Sequence, residues 1–122
     1  MEIWTPIGEF FAPEYVVHLT DEELVLDHEG IKRLIHLYQR AFNQIQVEVE
    51  TLVVSKDRIA WQRTMRATHH DSFKGFPGTG KQMIWRDMVT SRFENGLISE
   101  DWLITDLAER LLLARKSKRS SK

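Results

Sequence analysis

Residues 30–42, GIKRLIHLYQRAF, place Ile31, Leu34, Ile35, Tyr38 and Phe42 at steps of three and four. That spacing predicts a helix with one apolar face. From residue 45 the period changes to two. In IQVEVETLVV (45–54) Ile45, Val47 and Val49 alternate with Gln46, Glu48 and Glu50, as in a half-buried strand. A second strand is predicted over 58–69, RIAWQRTMRATH. Trp61, Arg63, Met65, Ala67 and His69 share one side of it; Ala60, Gln62, Thr64, Arg66 and Thr68 share the other. After a loop over 70–80, KQMIWRDMVTSRFE (81–94) reads as a third long strand. Asn95-Gly96 is a strong hairpin signal, so residues 97–105 return as a fourth strand. Asp106 and Glu109 stand at capping-box spacing before LAERLLLARK, which predicts a terminal helix.

The first thirty residues are less regular. Thr5-Pro6 marks a short helical stub over 5–12 that ends before Pro13. EYVVHL (14–19) suits a brief strand, and residues 20–30 read as an acidic turn. Helical segments, about four consecutive strands and a closing helix predict an α+β fold, with helices on one face of an antiparallel sheet.

With 122 residues, 42% of them hydrophobic, the chain suits one domain with one core, expected over residues 1–114. Five of its 17 basic residues fall in RKSKRSSK (115–122), expected to be a disordered, solvated tail. The rest carries 12 basic against 18 acidic residues, and a body of that sign repels phosphate backbones. Nucleic acid is therefore not an expected partner. Cysteine is absent, which excludes disulfides, thiolate-bound zinc and a cysteine nucleophile. No stretch approaches the roughly 18 apolar residues of a membrane span, and MEIWTPIGEFF lacks a basic start. The expected location is the cytoplasm.

GFPGTGKQ (75–82) contains the spacing G-x-x-x-x-G-K of a phosphate-binding loop. Gln82, however, stands where Ser or Thr must hold magnesium, and strand-like sequence follows where a helix must begin. The stretch reads as a connection between two strands.

The same loop carries a family likeness. Thr68, His69, Gly75, Pro77, Thr79 and Gly80, followed by Arg92, Phe93, Gly96, Ile98, Glu100 and Trp102, resemble the signature of the SnoaL-like polyketide cyclases. In that family a T-H and a G-x-P-x-T-G loop precede R-F-x-x-G-x-I-x-E-x-W. The resemblance implies a cone-shaped curved antiparallel sheet wrapped around helices, shared with ketosteroid isomerase and nuclear transport factor 2. It also implies a homodimer or higher homo-oligomer that acts on lipophilic, carbonyl-containing small molecules without metal or organic cofactor. Two departures stand out. The N-terminal helix is shortened to the stub over 5–12. The family's acid/base Asp and its polar partner fall at Leu103 and Val89.

In that family those two positions face the pocket, which the resemblance implies for this chain. By alternation Trp85, Asp87, Ser91 and Asp101 share that side, with Trp61, Arg63, Met65 and His69 on the neighbouring strand and Tyr38 on the helix. Catalysis by this set assigns proton removal to Asp87 or Asp101, and enolate stabilisation to Arg63 or His69. The plainer alternative pairs Arg63 with one of the two carboxylates as an inert buried ion pair. His69 then only ties down the 70–80 loop. His69-His70-Asp71 is a poor metal site, because adjacent strand residues face opposite ways. Rival functions are small-molecule binding without turnover, and protein interaction through the outer sheet face.

Overall fold

The computed structural model describes the backbone of residues 10–120 and the side chains of residues 10–115. The chain runs β1 (Phe11–Leu19), a 3₁₀ turn (Thr20–Glu22), β2 (Leu24–Leu26) and α1 (His28–Ala41). Then follow β3 (Phe42–Val54), β4 (Arg58–His69), β5 (Gln82–Glu94), β6 (Leu97–Thr105) and α2 (Leu107–Ser120). One six-stranded sheet has the order β2-β1-β6-β5-β4-β3 and is not closed. It forms an α+β fold with α1 against its inner face. No described helix is long and apolar enough to cross a membrane.

β4, β5 and β6 fall within a residue of where alternation puts them. Asn95 and Gly96 turn between β5 and β6 with φ of 53° and 78°, the left-handed pair that an Asn-Gly hairpin supplies. The start of the chain departs from expectation. Phe10 is helical, but Phe11 and Ala12 belong to β1 rather than to a helical stub, whose residues 5–9 lie outside the described part. β1 pairs with β6 in parallel, so the sheet is mixed rather than wholly antiparallel. That pairing joins residues more than 80 positions apart and leaves no local trace in the sequence. Breaks in strand register at Asn43/Gln46, Thr51/Val53 and Arg92/Phe93 bend the sheet.

α1 begins at Asp27, whose side chain accepts from the Gly30 N–H at 2.9 Å. This cap satisfies one of the free donors of the first turn. The expected capping box of α2 does not form. Asp106 Oδ1 accepts from the Arg86 N–H at 2.8 Å, and the Asp106 N–H donates to the Arg86 carbonyl at 3.2 Å. Thr105 Oγ1 accepts from the Leu107 N–H instead. α2 is thus stapled to β5, and it runs through residues 115–120, the stretch read as a solvated tail.

The core divides in two. Phe42, Met65, Phe73, Met83, Trp85, Leu107 and Leu111 close one end, while Tyr15, Val17 and Leu19 pack with Ile31, Leu34 and Leu103 at the other. In the loop over 70–80, Gly78 lies so close to the His70 carbonyl that an added Cβ would sit 2.5 Å from its oxygen. A strand follows the loop, so it offers phosphate no helix N-terminus.

Candidate active site

Beside the cluster around Tyr15, Val17 and Leu19 the inner face leaves a cavity of about 290 Å³. This volume lies near the lower end of the roughly 300–1,000 Å³ of ligand pockets. Its walls are Phe11, Tyr15 and Val17 of β1, Ile31 and Ile35 of α1, and Trp61, Arg63, Val89, Ile98, Asp101 and Leu103 of the sheet. Strand pairing brings the sheet residues together: Trp61 lies opposite Val89, Arg63 opposite Asp87, Ser91 opposite Asp101 and Val89 opposite Leu103.

Asp101 is the buried acid of this cavity, 7% exposed. Its Oδ2 accepts from the Tyr15 hydroxyl at 2.7 Å and its Oδ1 from the Ser91 hydroxyl at 2.5 Å. Trp61 Nε1–H donates to Ser91 Oγ at 2.9 Å, which fixes the direction of that hydroxyl. Burial raises the pKa of Asp101; the two hydroxyls and the Arg63 charge oppose the rise without cancelling it. Burial, followed by the Asp101 charge, pushes the Tyr15 phenol far above its usual range.

Arg63 chooses Asp87. Its Nε lies 2.7 Å from Asp87 Oδ2, with side chains 17% and 2% exposed. The guanidinium also lies 5.7 Å from the Trp61 ring, and its Nη groups donate to no described residue. Asp87, Met65 and Tyr38 line a second, smaller cavity beside the first.

His69 and Trp85 join neither cavity. Both are fully buried in the closed core cluster around Phe42, and His69 stacks on Phe42 at 5.1 Å. Neither His69 ring nitrogen has a hydrogen-bond partner among the described residues. Burial lowers its pKa, against a smaller opposite effect of the nearby Asp71 and Phe76 backbone. His69 ties the loop through its backbone, donating to the Lys81 carbonyl and accepting from the Gly80 N–H. It stands six residues beyond Arg63 on β4, about 20 Å away along the strand. Among the described residues no group of three or more His, Asp or Glu could hold a metal ion.

Tyr15 escaped the sequence analysis. Its signal was the alternation of Tyr15, Val17 and Leu19, but β1 had no visible partner strand. Ile31 and Ile35 were already marked as the apolar face of α1.

The sequence pattern of the SnoaL-like polyketide cyclases matches residues 2–112. The chain belongs to that family. Among solved structures, this SnoaL-like chain is similar to AclR, a candidate hydroxylase from Streptomyces galilaeus. The identity is 26% over 88% of this chain and 80% of that one, with a TM-score of 0.76. It is equally similar to IdmH, a proposed polyketide cyclase from Streptomyces antibioticus, at 27% identity over 90% and 84%, TM-score 0.76. A proposed polyketide cyclase from Acidithiobacillus ferrooxidans follows at 26% identity over 88% and 78%, TM-score 0.71. No curated protein matches in sequence. Of the SnoaL-like signature residues only Ile98 lines the larger cavity, and three others form a cluster on the opposite side of the sheet. Arg92 and Glu100 pair on the outer face at 3.1 Å, and Trp102 stacks there on His18 with Arg58 over its ring. These contacts tie β1, β4, β5 and β6 together.

Proposed function

We propose that the protein is a small-molecule enzyme of the cyclase or isomerase type, moving a proton on a lipophilic carbonyl compound held in the larger cavity. The observation that carries this reading is Asp101, a buried carboxylate in a mostly apolar wall whose pKa burial raises. A base so placed is poised nearer neutral pH than an exposed one. In the resembled cyclases the acid/base Asp falls at Leu103, and its polar partner at Val89. Asp101 is the next inward residue on the same strand, so we place the role one step away.

Asp101 takes a proton from the carbon next to the substrate carbonyl. The electron pair moves to the carbonyl oxygen, where the Nη groups of Arg63 stabilise the enolate. In an isomerisation the proton returns at another carbon. In a cyclisation the enolate carbon attacks a second carbonyl; a C–C bond forms, and the new alkoxide takes the proton back from Asp101. Tyr15 and Ser91 hold the carboxylate in place, and Asp87 holds Arg63. The same reading takes residues 1–114 as one cytoplasmic domain, acting as a homodimer or higher homo-oligomer without metal or organic cofactor.

A panel of aromatic ketones and β-diketones, screened for binding and turnover, tests this. Asp101→Asn keeps the size and one acceptor oxygen. It should fold, bind, and lose turnover by a factor of about 10²–10⁴. Unchanged turnover in Asp101→Asn sinks the assignment. Binding without turnover in the parent protein favours a second reading, a carrier that lost the reaction, to which Leu103 and Val89 lend weight.

A further inference from the structure

The proposed chemistry leaves the second cavity unused. It measures about 60 Å³ and shares Ile31, Ile35, Arg63 and Leu103 with the larger one. Its remaining walls mix apolar Leu19, Leu34 and Met65 with Asp87, Tyr38 and Thr105, and exposed Asp21, Glu22 and Lys74 stand at the rim. Lys74 Nζ pairs with Glu22 across that rim, linking the turn after β1 to the loop before β5. This bridge bounds the cavity at the end away from Asp101.

Asp87 is 2% exposed, and one of its oxygens has no partner. Oδ2 takes the Arg63 Nε–H; Oδ1 takes nothing among the described residues. A buried carboxylate oxygen left without a donor is costly. Asp87 lines a space larger than the roughly 30 Å³ share of one liquid water, which suits a small polar substituent. The charges nearby restrict that substituent. Asp87, Asp21 and Glu22 are carboxylates, while Lys74 and Arg63 are already paired to two of them. An anionic group meets net repulsion there; a neutral hydroxyl does not.

We propose that the two cavities form one two-part site for an elongated ligand. Its flat apolar body fills the larger chamber, and a hydroxyl-bearing tail reaches the smaller one and donates to Asp87 Oδ1. This rests on the larger cavity being the substrate site. Asp87 then acts as a specificity residue rather than as the base, and Arg63 marks the boundary between body and tail. Leu103 leaves that boundary apolar on the β6 side.

Calorimetric titration with 2-acetylnaphthalene tests the proposal, alongside derivatives that carry a 2-hydroxyethyl, ethyl or carboxymethyl group on the distal ring. The hydroxyethyl compound should bind about tenfold tighter than the ethyl compound, as one hydrogen bond to a charged acceptor allows. The carboxymethyl compound should bind more weakly than both. Leu34 lines the smaller cavity and not the larger. Leu34→Phe should therefore abolish the hydroxyethyl preference and leave 2-acetylnaphthalene unaffected. Asp87→Asn should reduce the same preference. Equal affinity for the hydroxyethyl and ethyl compounds overturns the two-part site, while binding of 2-acetylnaphthalene keeps the larger cavity as a ligand site. A preference that survives Leu34→Phe overturns it as well. If none of the compounds binds, the assignment of the larger cavity fails, and this inference falls with it.

Discussion

Replacing Arg63 by Met isolates the physics of the inner face. The substitution keeps an unbranched stem and removes the charge that lies 5.7 Å from the Trp61 ring. It leaves Asp87, 2% exposed, with neither oxygen satisfied. Breaking a buried ion pair by removing one partner costs about 3–5 kcal/mol. A domain of this size holds roughly 5–15 kcal/mol in total, so Arg63→Met should consume a large share of the stability. Replacing both partners behaves differently. Arg63→Met with Asp87→Leu exchanges two desolvated charges for apolar contacts of similar volume, and such exchanges are often neutral or stabilising. Urea denaturation at pH 7 of the parent, both single variants and the double variant closes the cycle. The double variant should recover most of the loss in Arg63→Met. A loss below about 1 kcal/mol in Arg63→Met, the range of a surface pair, would refute a desolvated brace. A double variant as unstable as the sum of the singles would refute the coupling.

Other consequences follow from the same geometry. The Tyr15 hydroxyl lowers the pKa of Asp101, so Tyr15→Phe should move the acid limb of the pH–rate profile to higher pH. An unmoved limb separates Tyr15 from the working carboxylate. Burial holds the folded pKa of His69 below the ordinary histidine value of about 6.5. Stability should therefore be constant above that value and fall as pH drops below it, because the unfolded chain takes up the proton first. Urea midpoints between pH 8 and pH 5 should show this slope, and His69→Leu should flatten it. Gly96→Ala forces a side chain into φ of 78° and should lower stability by about 1–2 kcal/mol, readable as a shift in the denaturation midpoint.

The long elements with a local cause were legible in the sequence. β4, β5 and β6 were legible because side chains alternate with period two and Asn-Gly turns the hairpin. α1 was legible because its apolar residues recur at three and four. The same alternation put Trp61, Arg63, Asp87, Val89, Ser91, Asp101 and Leu103 on one face of the sheet. Where along that face the space lies depends on the packing above it. Period two says which side a residue takes, and nothing about what covers it. Phe42, Phe73 and Leu111 close over Trp85 and His69 and make them core, while α1 stands off Asp101 and leaves a cavity. The pairing of Arg63 with Asp87 rather than Asp101 follows from cross-strand register. The contact of Tyr15 with Asp101 spans 86 positions through the parallel β1–β6 ladder, and the tie of Asp106, just before α2, to Arg86 depends on a neighbouring strand. Each of these needs the approach of segments remote in sequence, which no local spacing encodes.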